Sequence, residues 1–213
     1  MMPDVKICGL KTADAVEAAL AGDARFIGLV FFPPSPRNIA PEAARPLAAL
    51  ARGKADIVAV TVDAGDALLA MIAERVAPDW IQLHGKETPA RAAEVRRFAR
   101  KGVIKALPIA RGEDFAAAAL FEPVADWLMF DAKAPPEAGR PGGHGASFDW
   151  AMLSGRRFGR PWMLSGGLTP ENVPAALAAS GAGALDVSSG VESAPGIKDP
   201  ARIAAFLAAA KKA

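Results

Sequence analysis

Residues 162–190 read WMLSGGLTPENVPAALAASGAGALDVSSG. An apolar run, Trp162–Gly166, ends in serine and glycine, and an alanine-rich stretch of helical character, Pro170–Ser180, follows it. A second apolar run, Ala184–Ser188, again ends in serine and glycine. Strand-length apolar runs that alternate with helix-length stretches read as βαβ units of a parallel sheet. Outward from this unit the alternation covers the chain. Further strand signals lie at Val5–Cys8, Phe26–Phe31, Ile57–Val62, Trp80–His84, Val103–Pro108 and Trp127–Asp131. Helical stretches lie at Ala13–Ala21, Pro41–Ala51, Ala67–Val76, Pro89–Lys101, Glu113–Phe121, Pro200–Lys211 and, short, near Phe148–Leu153.

Strand onsets from Val5 to Ala184 recur about every 26 residues, close to a minimal βαβ repeat. Eight such units predict an α/β fold, a single-domain (β/α)8 TIM barrel over residues 1–213, compact against a typical ~250 residues. An open doubly wound sheet carries the same alternation, but it more often has five or six strands, and no G-x-G-x-x-G follows the first run. Thr12 and Thr169-Pro170-Glu171 read as helix starts. The connections FFPPSPRN (31–38) and Ala132–Ser147 are long and rich in proline or glycine, as functional loops often are. Arg96, Arg97, Arg100 and Lys101 fall at helical spacing and are expected on a solvated face.

Composition narrows the function. At 52% apolar and 23% charged residues the chain has the make-up of a folded protein rather than a disordered one. With 25 basic and 23 acidic residues the net charge is +2, which asks for no nucleic acid or anionic membrane as partner. One cysteine excludes an internal disulfide and a multi-cysteine zinc site. The opening MMPDVKICGL lacks the pattern of a secretory signal, and no run is long and apolar enough to span a membrane. A cytoplasmic protein is expected, monomer or homodimer.

A barrel places its chemistry at the C-terminal ends of its strands. There the apolar runs end in polar groups: Cys8-Gly9, His84-Gly85, Asp131, Ser165-Gly166-Gly167 and Ser188-Ser189-Gly190. Alternation along a strand puts Lys6 with Cys8, Gln82 with His84, and Asp186 with Ser188 on shared faces. The glycine-rich ends of strands seven and eight suit a phosphate, because glycine lets backbone N–H groups approach an anion and serine adds hydroxyls. Taken alone, Cys8 reads more simply as a small buried apolar side chain. Asp131 at the end of an apolar strand needs a partner or a task. His84 fits a satisfied barrel histidine as well as a ligand contact, and Arg37 in its proline-stiffened loop is a candidate anion clamp.

Together the segments KICGLKT (6–12), GLVFFPPSPRNI (28–39), IQLHGKE (81–87), FDAK (130–133), GGHGASFDW (142–150), LSGGLTPENV (164–173) and DVSSGVESAPGIKD (186–199) resemble the phosphoribosylanthranilate isomerase family of tryptophan biosynthesis, in order and over nearly the whole chain. The resemblance implies a barrel without metal or organic cofactor. It implies an Amadori rearrangement of a phosphorylated aminoaldose to an aminoketose, with a small-molecule phosphorylated substrate. Carried over by position, Cys8 is the general base at ribose C2 and Asp131 the general acid at the ring oxygen. Arg37, His84 and Asp186 line the anthranilate and sugar end; Gly143, Gly145, Gly166, Gly167, Ser188, Ser189 and Gly190 form the phosphate side. Two positions depart from the family pattern: His144 stands where many members carry threonine or serine, and Ser165 replaces a common alanine. The chemistry suits these residue types, since opening the ring needs a proton on oxygen and the resulting iminium acidifies the C2 hydrogen. Competing readings are the related histidine-pathway isomerase, which uses two aspartates where the first-strand position here is Cys8, and a catalytically silent phosphate-binding barrel.

Overall fold

The computed structural model describes residues 2–133, 142, 145 and 147–213. Eight parallel strands close into a barrel in sequence order: β1 (Asp4–Cys8), β2 (Phe26–Phe31), β3 (Asp56–Thr61), β4 (Trp80–Leu83), β5 (Gly102–Ile109), β6 (Trp127–Ala132), β7 (Trp162–Leu164) and β8 (Ala184–Val187). Pairing of β1 with β8 through Lys6↔Asp186 and Ile7↔Val187 shuts the ring. The closed barrel replaces the open-sheet alternative.

Around it run α1 (Ala13–Ala21), α2 (Pro41–Ala51), α3 (Asp66–Val76), α4 (Pro89–Val95), α5 (Ala118–Phe121), α6 (Val173–Ser180) and α7 (Pro200–Lys212). Two apolar layers divide the core. One joins the outward strand residues, such as Ile7, Leu29, Ile57, Ile81 and Phe130, to the buried helix faces. The other fills the barrel with Phe26, Val58, Trp80, Ile104, Met129 and Met163, below Cys8. Parallel strands covered on both faces are buried throughout, which is why β2 reads as the unbroken apolar run FIGLVF.

Several helix boundaries differ from the sequence expectation. The stretch expected as helical to Lys101 stops at Val95 and tightens into a 3₁₀ turn over Arg96–Phe98. The basic run that follows is half-exposed but not simply solvated: Arg96 grips Asp126, Arg97 pairs with Asp66, Arg100 with Asp79 and Lys101 with Asp56. Most of Glu113–Phe121 is 3₁₀ (Gly112–Ala117), in which Phe115 packs edge-on against Phe130 with ring centroids 5.1 Å apart. The Trp150–Leu153 segment is also 3₁₀. Helix α6 begins at Val173, after a turn in which Thr169 and Asn172 exchange hydrogen bonds between backbone N–H and side-chain oxygen. Thr12 precedes α1 as expected, without a side-chain cap.

After β8 the chain makes a two-stranded antiparallel hairpin outside the barrel, β9 (Glu192–Ala194) and β10 (Ile197–Lys198). No helix among the described residues is long and apolar enough to cross a membrane.

Candidate active site

The C-terminal mouth holds a cavity of about 60 Å3 lined by Cys8, Val30, Phe32, Ser35, Arg37, Val60, Val62, His84, Asp131, Gly142, Ser165, Asp186 and Ser188. Strands β1 and β6 stand three steps apart round the ring, so Cys8 and Asp131 face the cavity from different sides.

Beneath Cys8 lies a buried ion pair. The Lys6 ammonium donates to Asp186 Oδ1 at 2.7 Å, with the lysine 0% and the aspartate 5% exposed. Ser165 Oγ donates to Asp186 Oδ2 at 3.0 Å, so both carboxylate oxygens are engaged from within the barrel. Burial works against the Lys6 charge, but Asp186 outweighs it and holds the ammonium above its ordinary value. Burial pushes the Cys8 thiol up, and the Lys6 charge only partly pulls it back. Gly28 on β2 makes room for this pair, because a Cβ there would stand 3.1 Å from Cys8 Sγ and 3.2 Å from Lys6 Cε. Its sequence signal was a glycine inside a strand, which marks close approach.

Across the mouth, Gln82 Nε2 lies 3.0 Å from His84 Nδ1, and His84 Nε2 lies 3.1 Å from Asp131 Oδ2. With the glutamine amide donating, the imidazole carries its proton on Nε2 and gives it to Asp131. Asp131 Oδ1 has no hydrogen-bond partner among the described residues. Gly142 covers this pair with φ +69°; a Cβ there would lie 2.7 Å from Asp131 Oδ2. The β4 loop carrying His84 is held from behind. Lys105 donates to Glu87 Oε2 at 2.7 Å and to the Gly85 carbonyl at 2.8 Å, and Glu87 accepts from the Asp63 and Gly85 N–H groups.

Arg37 is buried at the rim, where its Nε and Nη2 grip Glu192 at 2.7 and 2.8 Å. The carboxylate it clamps in this structure belongs to the protein. Ser188 Oγ donates its one proton to the Cys8 carbonyl at 3.1 Å. The backbone N–H groups of Gly166, Gly167, Ser189 and Gly190, at the ends of β7 and β8, have no hydrogen-bond partner among the described residues, an array suited to an anion. Gly145 is exposed, and Gly143 and His144 lie outside the described residues. Sequence reasoning missed Glu192 and Lys198, which nothing in a short hairpin sequence distinguishes from surface charges. Among the described residues no group of three or more His, Cys, Asp or Glu is placed to hold a metal ion.

The family model for N-(5'-phosphoribosyl)anthranilate isomerase matches residues 5–209. The chain belongs to the phosphoribosylanthranilate isomerase family. The isomerase of Rhodopseudomonas palustris (strain BisA53) is 54% identical over 208 residues, covering 98% of this chain and 95% of that one. The crystal structure of the Thermotoga maritima isomerase superposes with a TM-score of 0.87 at 34% identity, each chain covered in full. A solved isomerase in complex with reduced 1-(o-carboxyphenylamino)-1-deoxyribulose 5-phosphate superposes with a TM-score of 0.85 at 31% identity, again with full coverage of both chains. In this isomerase family member, the residues expected from the sequence as base, acid and aryl-end contacts converge on one mouth, beside the glycine-rich turns.

Proposed function

We infer that this chain isomerises N-(5'-phosphoribosyl)anthranilate to 1-(2-carboxyphenylamino)-1-deoxyribulose 5-phosphate in tryptophan biosynthesis, with Asp131 as general acid and Cys8 as general base. The observation that carries the assignment is the placement of the Cys8 thiol and the Asp131 carboxyl on one cavity, from strands three steps apart. The phosphate sits at the N–H groups of Gly166, Gly167, Ser189 and Gly190. Its binding energy orients the sugar between acid and base. Asp131 Oδ1, the oxygen not bonded to His84, delivers a proton to the ring oxygen as the C1–O bond breaks and the nitrogen lone pair forms the iminium. The Cys8 thiolate then takes the C2 proton, giving an enol-amine that tautomerises to the ketone. Arg37 and His84 serve the aryl and sugar end, and Asp186 holds the floor through Lys6. We place the enzyme in the cytoplasm, as monomer or homodimer, with a phosphorylated small molecule as its ligand.

The test follows loss of anthranilate-type fluorescence from freshly made substrate with the wild type, Asp131→Asn and Cys8→Ala. Each substitution is expected to slow turnover about 10²-fold or more, while a phosphorylated product analogue still binds. Wild-type turnover in Cys8→Ala would overturn the base assignment. No wild-type loss above the spontaneous rate would overturn the substrate.

A further inference from the structure

Besides Lys6–Asp186, a second buried ion pair at the mouth belongs to the β9–β10 hairpin. Its register sets Lys198 opposite Glu192. Their side chains are 2% and 4% exposed, while Ser193, Ala194 and Ile197 face outward. A cross-strand pair of apolar residues would close such a hairpin at least as well, because desolvating two charges opposes their attraction. The pair therefore calls for a purpose beyond folding the hairpin.

Its hydrogen bonds indicate one. A lysine ammonium has three donors, and Lys198 directs them at Glu192 Oε1 (2.6 Å), the Ser188 carbonyl (3.0 Å) and Ser188 Oγ (3.3 Å). Ser188 Oγ passes its own proton to the Cys8 carbonyl, and Glu192 is shared with Arg37. A continuous chain thus runs from Arg37 on the β2 loop through the hairpin to the end of β1. Lys198 and Arg37 share the Glu192 carboxylate, whose attraction partly answers the burial that works against the Lys198 charge.

We propose that Lys198, held by Glu192, is a positioning residue for the isomerisation: through Ser188 it fixes the strand end that carries Cys8, and its charge favours the thiolate there. The catalytic meaning rests on Cys8 being the base. The groups that face Cys8 are Lys6 from its own strand, Asp186 from β8 and Lys198 from β10, with Arg37 and Glu192 behind Lys198 and with His84 and Asp131 across the cavity. Burial raises the thiol; Lys6 and Lys198 oppose that rise and Asp186 adds to it.

The test is an ultraviolet titration of the thiolate. Cys8 is the one cysteine and the chain has no tyrosine, so neither a second thiol nor phenolate contributes. In Lys198→Met the midpoint is expected to rise by about half a pH unit or more. At neutral pH kcat/KM should fall by the matching factor of about 3 or more. Lys198→Gln, which can still donate to Ser188 but carries no charge, is expected to show the same rise and serves if the methionine variant fails to fold. Lys198→Arg keeps the charge and is expected to leave the midpoint near wild type. An unchanged midpoint in folded Lys198→Met or Lys198→Gln overturns the proposal, as does a rise in Lys198→Arg equal to that in Lys198→Met. The titration needs no turnover, so its failure is distinct from failure of the isomerase reading, which appears as missing fluorescence loss in the wild type.

Discussion

Asp186→Ala offers the sharpest separation of a structural from a ligand-contacting role. The substitution leaves Lys6 fully buried with its ammonium partner gone, and it strips Ser165 Oγ of its acceptor. Breaking a buried pair by removing one member costs about 3–5 kcal/mol, because an uncompensated charge remains. In a domain of this size each kcal/mol moves Tm by about 2–4 °C, so the melt should fall by roughly 6–20 °C. Without Asp186, only Cys8 opposes the burial that works against the Lys6 charge, and the balance moves towards the neutral amine. The deficit should therefore shrink as pH rises and the lysine gives up its proton more easily. Replacing both partners, Lys6→Met with Asp186→Leu, removes the charge problem and should recover most of the lost stability. The assay is thermal and urea denaturation at neutral and alkaline pH, beside steady-state kinetics. A melt within about 2 °C of wild type, together with a raised KM, would refute this reasoning and make Asp186 a substrate contact instead.

Gly142→Ala puts a methyl group against Asp131 Oδ2 at a backbone angle that L residues rarely adopt. It is expected to reduce kcat about 10-fold and, through about 1–3 kcal/mol of backbone strain, to lower Tm by several degrees, measured by kinetics and melting in parallel. Because burial raises the Cys8 thiol, kcat/KM should keep rising with pH beyond the ordinary thiol value of about 8.5; a plateau reached well below it would remove the thiolate from the rate. The same raised thiol means the folded state holds its proton more tightly than the unfolded state. Its contribution to stability is therefore present below the unfolded value and lost as pH rises through the folded one, and Cys8→Ala should flatten that alkaline decline in Tm. Lys105→Met strands Glu87 at 3% side-chain exposure behind the His84 loop. It should cost about 3–5 kcal/mol in urea unfolding and lower kcat through a loosened His84.

The barrel was legible in the sequence because its strands are short, continuous apolar runs and its helices carry alanine-rich spacing, both read within a dozen residues. The positions of Cys8, His84, Asp131 and Ser188 at strand ends followed from the same periodicity, since alternation decides which side chains face the barrel axis. Helix limits were less legible. Arg96–Lys101 has a helical spacing of charges, yet its arginines answer to Asp66, Asp79 and Asp126 on other segments, and Phe115 is placed by an aromatic cluster that local propensity cannot see.

The sequence by itself determined the eightfold βα alternation, the strand ends that bear polar groups and the glycine-rich turns suited to phosphate. Only the tertiary structure decided which charges neutralise one another. Lys6 meets Asp186 across 180 residues, Arg37 meets Glu192 across 155, and His84 meets Asp131 across 47. Closing the ring brings β1 beside β8 and the hairpin over the β2 loop, and a buried charge is set by whatever neighbour replaces its water. That neighbour is fixed by barrel closure, so Glu192 as a partner of Arg37 could not be read from the sequence around either residue.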